Sequence, residues 1–179
     1  MELENKRIAI LLADDYEDLE FWYLYYRMKE SGANVKAVGC LMSADRVKGR
    51  KGYMADIDMR TDIATADMFD AIIIPGGWSA DRLSWCESTI ELIKNAFTQG
   101  KLIAGISQGV WVLASADILK EKNVTSDPKI RENIRNSGAI WTDTDIVIDG
   151  HIITSRSTSD LPVFCSELIK ALIVNDEQK

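Results

Sequence analysis

At 179 residues, 46% of them apolar and 27% charged, the chain has the size of one globular domain around one hydrophobic core. A net charge of −7 argues against general attraction to nucleic acid or anionic membrane surfaces, and the apolar run after the polar N-terminus is too short for a signal sequence or membrane span. Three cysteines without a close-spaced pair suggest neither a disulfide framework nor a zinc knuckle, and the single histidine removes most histidine-rich metal sites. A reduced cytoplasm fits this composition, and neither metal nor cofactor is expected.

Arg7 to Leu12 reads as a short buried strand ending at Ala13-Asp14-Asp15. A helix is predicted from about Glu17 to Glu30, closed by Ser31-Gly32, with Asp14, Asp15, Glu17, Asp18 and Glu20 at its positive end. Phe21, Trp22, Tyr23, Tyr25 and Tyr26 point nearly all round that helix, more than one core-facing stripe needs. Such aromatic enrichment marks interfaces, so the helix is expected to contribute to a homodimer or larger homo-oligomer through Tyr23, Tyr25 or Tyr26.

Asn34 to Gly39 is a second strand, and the alternation around Ala55, Ile57 and Met59 suggests a half-exposed strand within a hairpin. Asp70 to Ile74 is continuously apolar, as a central parallel strand would be, and ends in Pro75-Gly76-Gly77. One long helix is expected from about Ser79 to Thr98. Leu102 to Ile106 then enters Gly105-Ile106-Ser107-Gln108-Gly109, a pattern that fits a nucleophile elbow, with a helix to about Ala116. Asp127-Pro128 opens a further helix ended by Ser137-Gly138, Asp149-Gly150 joins two β-branched runs as a hairpin, and a final helix covers roughly Ser159 to Val174.

Alternating strands and helices predict a three-layer α/β sandwich with a mostly parallel sheet and a C-terminal hairpin, as a single domain over residues 1–179. Sites in such sheets lie at the carboxyl ends of the strands, where Asp14 to Glu17, Pro75-Gly76-Gly77 and Ser107 all fall.

With these segments placed, the chain resembles the PfpI superfamily, which contains intracellular proteases and Parkinson-associated deglycases. The resemblance rests on Ala13 to Glu20, Gly49-Arg50-Lys51-Gly52-Tyr53, Phe69-Asp70-Ala71 with Pro75-Gly76-Gly77, the elbow, and Thr154-Ser155-Arg156 with Asp160-Leu161. It implies a flavodoxin-like fold related to class I glutamine amidotransferases, and homodimers or larger rings. By the same resemblance, Glu17 matches the glutamate that hydrogen-bonds the nucleophile, Gly76 and Gly77 match an oxyanion loop, and Arg156 and Asp160 match pocket residues.

At the elbow, however, this chain has Ser107-Gln108 where that family has Cys-His, and Thr158 stands where the family has Pro. A serine hydroxyl needs an adjacent base, and the Gln108 amide has no useful protonation equilibrium. His151 begins the strand whose other end approaches the site, so it is expected roughly 16 Å away as a surface turn residue. Cys40, Cys86 and Cys165 are expected to be structural. Two readings follow. One is a divergent member that has lost cysteine chemistry and binds a small ligand or acts in stress response; the other is a Ser107-dependent peptidase or amidase with Glu17 as base. An α/β-hydrolase triad of Ser107, Asp143 or Asp145, and His151 fits the short chain poorly.

Overall fold

A computed structural model describes residues 2–177. In chain order it contains β1 (Arg7–Leu12), α1 (Asp18–Glu30), β2 (Asn34–Gly39), β3 (Arg46–Lys48), β4 (Met54–Asp56), β5 (Met59–Arg60) and β6 (Ala71–Ile74). There follow α2 (Ser79–Ser84), α3 (Glu87–Thr98), β7 (Leu102–Ile106), α4 (Val110–Ser115), β8 (Asn123–Val124) and α5 (Arg131–Asn136). Short β9 (Ile140–Trp141) precedes β10 (Ile146–Asp149), β11 (Ile152–Ser155) and α6 (Leu161–Glu177).

Seven strands form one sheet in the order β10-β11-β7-β6-β1-β2-β5. Only β10 runs antiparallel, joined to β11 through the Asp149-Gly150 turn. This is the flavodoxin-like arrangement, and it follows from strands buried on both faces. Ile8, Ile10 and Leu12 of β1 pack with Phe21, Leu24 and Met28 of α1 and Phe164 and Leu168 of α6. Ala9 and Leu11, pointing the other way, pack with Leu83 of α2, Leu92 of α3 and Leu113 of α4.

Two predicted elements are divided. The alternation through Ala55, Ile57 and Met59 covers two strands: β4 pairs antiparallel with β3, while Met59 leaves the hairpin and pairs parallel with Val38 of β2. The long helix expected over 79–98 is broken at Trp85-Cys86. Cys86 is extended and takes the N-cap position of α3, its carbonyl receiving the Thr89 and Ile90 N–H groups. Restarting the helix there lets Ser88 and Thr89 reach the Thr61 hydroxyl at 2.7 and 3.4 Å. A parallel bridge between β8 and β9 also forms, too short for periodicity to reveal.

Candidate active site

The central order β7-β6-β1 sets three strand ends side by side. From these ends emerge Ser107, the Pro75-Gly76-Gly77 loop and the segment leading to α1. Ser107 adopts a left-handed φ of 57° and is 7% exposed, as an elbow residue should be. That conformation costs a non-glycine residue about 1–2 kcal/mol, so its surroundings must hold it. Gly109 permits the turn: a Cβ there would stand 2.1 Å from the Ile74 carbonyl oxygen.

Gly76 marks the centre of the site. A Cβ on it would lie 2.8 Å from both Gln108 Oε1 and Glu20 Oε2, and 2.9 Å from Ser107 Cβ. Glycine therefore leaves room for three polar side chains to converge. The Gly76 N–H donates to Glu20 Oε2 at 2.6 Å, and the Gly77 N–H donates to Gln108 Oε1 at 3.1 Å. Both N–H groups of the expected oxyanion loop thus have side-chain acceptors.

Ser107 Oγ donates to Gln108 Oε1 at 2.9 Å. Gln108 Nε2 donates in turn to Asp127 Oδ2, and the other Asp127 oxygen accepts the Lys129 N–H at 2.9 Å. The amide is oriented at both ends, with its oxygen toward the hydroxyl. An amide oxygen accepts a hydrogen bond but does not remove the proton at neutral pH.

The carboxylate that converges with Ser107 on Gly76 is Glu20, whereas the side chain of Glu17, the expected partner of the nucleophile, is paired with Arg50. Glu17 precedes α1 in an extended conformation and directs Oε2 to Arg50 at 3.4 Å. Its backbone N–H donates to the Gly76 carbonyl at 3.1 Å, so it shapes the loop through its main chain. Glu20 lies one turn further on, 1% exposed, on the same stripe as Leu24 and Met28. Burial pushes its pKa from the ordinary carboxylate value up to about 7, against the lowering effect of hydrogen bonds from Gly76 and Thr158. The Thr158 hydroxyl donates to Glu20 Oε1 at 2.8 Å and so acts as a clamp on this carboxylate.

Arg156 is held within its own neighbourhood. Its guanidinium reaches Asp143 at 3.0 Å, Asp145, and Asp160 at 3.5 Å, three carboxylates around one cation. Asp160 is buried and also accepts from the Ser157 hydroxyl at 2.7 Å. Together they brace the turn carrying Thr158, while Arg156 keeps no unshared charge for an anionic ligand. His151 opens β11 at the end away from the elbow, since Ser155, not Ile152, pairs with Ile106. Its ring packs on Phe97 at 4.8 Å and burial lowers its pKa, making it part-buried rather than the exposed turn residue expected.

In the sequence, Glu20 reads as one of the helix-capping carboxylates and Asp127 as a helix start only. A signal for Glu20 was available: the four-residue spacing Glu20, Leu24, Met28 sets a carboxylate on the core stripe of an amphipathic helix. Asp127 does cap the following turn, and its bond to Gln108 is visible only once the chain has folded.

The sequence profile of the DJ-1/PfpI family matches residues 6–171. Deglycase PfpI of Pyrococcus furiosus is 35% identical over 166 residues, which cover 93% of this chain and 99% of that protein. Protein/nucleic acid deglycase 2 of Escherichia coli is 32% identical over 170 residues, covering 94% and 98%. A two-domain structure from Anabaena variabilis with DJ-1/ThiJ/PfpI-like and ferritin-like domains superposes with a TM-score of 0.90 at 34% identity, covering 93% of this chain and 50% of that one.

The raised pKa of Glu20 has a defined pH signature. The folded state holds its proton more tightly than the unfolded state, so this contribution to stability is complete below about 4.5 and is lost as pH rises through about 7. Its full size is of the order of 3 kcal/mol. Lowered pKa values at His151 and Cys86 act in the opposite sense and persist in Glu20→Gln. In urea titrations from pH 5 to 8, the stability difference between wild type and Glu20→Gln is expected to shift in the variant's favour with rising pH. Parallel profiles would contradict the assignment.

Proposed function

The chain belongs to the DJ-1/PfpI family, and from that premise we propose that it is a member whose elbow binds a small carbonyl or carboxylate ligand without covalent catalysis, in the cytoplasm. The observation that carries this reading is the Ser107 hydroxyl donating to an amide oxygen fixed by Asp127 and the Gly77 N–H. The hydroxyl donates to Gln108 Oε1, which cannot take its proton, while the Glu20 oxygens accept from the Gly76 N–H and the Thr158 hydroxyl. A ligand oxygen would replace Gln108 Oε1 as acceptor for the same two donors. A role in stress response is compatible with such binding.

One observation favours a second reading, a Ser107-dependent amidase or peptidase. A buried carboxylate with a pKa of about 7 beside the serine is a suitable proton acceptor near neutral pH, provided that Thr158 releases it.

The assembly proposed is a homodimer or larger homo-oligomer built on α1. Leu19 and Tyr26 are 65% and 62% exposed, and with Trp22 and Tyr23 they line one groove on the helix surface. The Trp22 and Tyr26 rings stack at 5.5 Å, presenting a flat aromatic face of the kind interfaces favour. Tyr25 is turned further inward, tilted against Phe21 at 5.4 Å.

Two measurements test these readings. The double variant Ser107→Cys/Gln108→His restores the thiol-imidazole pair and is expected to raise methylglyoxal turnover by about 10²-fold or more over wild type. Substantial wild-type turnover, abolished in Ser107→Ala, would contradict the non-covalent reading. Light scattering at micromolar concentration should give at least a dimer, with Tyr23→Asp/Tyr26→Asp shifting the mass toward the monomer; a monomeric wild type would remove the interface.

A further inference from the structure

Away from the elbow, a cavity of about 650 Å³ opens between the loop after β2 and the break separating α2 from α3. Two thiols line it, Cys40 and Cys86. Cys86 occupies the N-cap of the 12-residue helix α3 and is half-buried, whereas Cys40 is 5% exposed.

The Cys86 sulfur sits among hydroxyl groups and a backbone N–H. Ser88 Oγ lies 3.4 Å from it and Thr61 Oγ1 3.8 Å, and the Leu41 N–H and Thr89 also hydrogen-bond it. These contacts stabilise a thiolate against the cost of burial and bring its pKa down to about 7. Cys165, buried in α6 without such donors, is pushed up to about 12. The Leu41 N–H is one bond from the Cys40 carbonyl carbon, so the Cys86 sulfur lies against the backbone that carries the second thiol. Cys40 Sγ contacts Ser43 Oγ at 3.3 Å, and Ser43 lines the same cavity. Asp14, Glu87 and Glu91 surround the opening and Arg82 is paired with Asp15, a charge balance that admits a small neutral reagent more readily than an anion.

We propose that Cys86 is a hydroperoxide-reactive thiol and that Cys40 resolves its oxidised form, closing an intramolecular disulfide across this cavity. The Cys86 thiolate attacks one peroxide oxygen; an S–O bond forms, the O–O bond breaks, and the departing alkoxide or hydroxide takes a proton from solvent. The sulfur is oxidised by two electrons to sulfenic acid and the peroxide is reduced to alcohol or water. The Cys40 thiolate then attacks the Cys86 sulfur, forming the S–S bond and expelling hydroxide, which leaves as water with the proton Cys40 gave up. This chemistry uses neither Ser107 nor Glu20, so it stands apart from the reading of the elbow.

The test treats the full-length protein with hydrogen peroxide at pH 7, blocks remaining thiols with iodoacetamide and maps the peptides. The expected product is a Cys40–Cys86 linked peptide with Cys165 still alkylatable after unfolding. In Cys40→Ser, dimedone should trap sulfenic acid at Cys86, and in Cys86→Ser the peroxide should leave Cys40 reduced. Without any substitution, iodoacetamide should modify Cys86 at least about tenfold faster than Cys40 or Cys165, reflecting its lowered pKa and its greater exposure. Equal alkylation rates, no Cys40–Cys86 link after oxidation, or a link only between two copies of the chain would overturn the proposal.

Discussion

A carboxylate that is almost completely buried must be hydrogen-bonded, and the partners Glu20 finds tie the site together. One oxygen receives the Gly76 N–H from the loop after β6 and the other receives the Thr158 hydroxyl from the turn before α6. Three segments distant in sequence are thereby fixed around one carboxyl group. The Arg156 cluster supports this indirectly, because its ion pairs with Asp143, Asp145 and Asp160 hold the turn on which Thr158 sits.

The elbow gives the same site a second, separate polar chain. Ser107, Gln108 and Asp127 form a directed series of hydrogen bonds, and Gly77 closes it onto the oxyanion loop. The strained backbone of Ser107, built to present a nucleophile, is retained. What it presents is a hydroxyl that donates to the Gln108 amide oxygen. The turn, its glycines and the loop opposite surround Ser107 and Gln108, which stand where the family resemblance implies a Cys-His pair.

The fold was legible because the central strands are buried on both faces and so read as continuous apolar runs, as in Ile8 to Leu12 and Ala71 to Ile74. The glycines of the elbow and loop were legible for a related reason, since close approach leaves no alternative at Gly76 or Gly109. The carboxylates were harder. Glu17 and Glu20 are both acidic, both near the start of α1 and three residues apart, and sequence motifs alone do not say which turns inward. The α2–α3 break had no proline or glycine to announce it; it follows from the packing of Ser88 and Thr89 against Thr61, a contact between distant segments. Cys86 gained its polar surroundings from that same break.

On the function proposed, Ser107 is held as a hydrogen-bond donor and not activated as a nucleophile. The most direct measurement is labelling of the native protein with a fluorophosphonate probe, beside a control serine hydrolase, followed by peptide mapping. Ser107 is expected to stay unmodified while the control reacts fully. Stoichiometric labelling at Ser107, absent from Ser107→Ala and reduced in Glu20→Gln, would contradict it and establish Glu20 as the base of a working serine nucleophile.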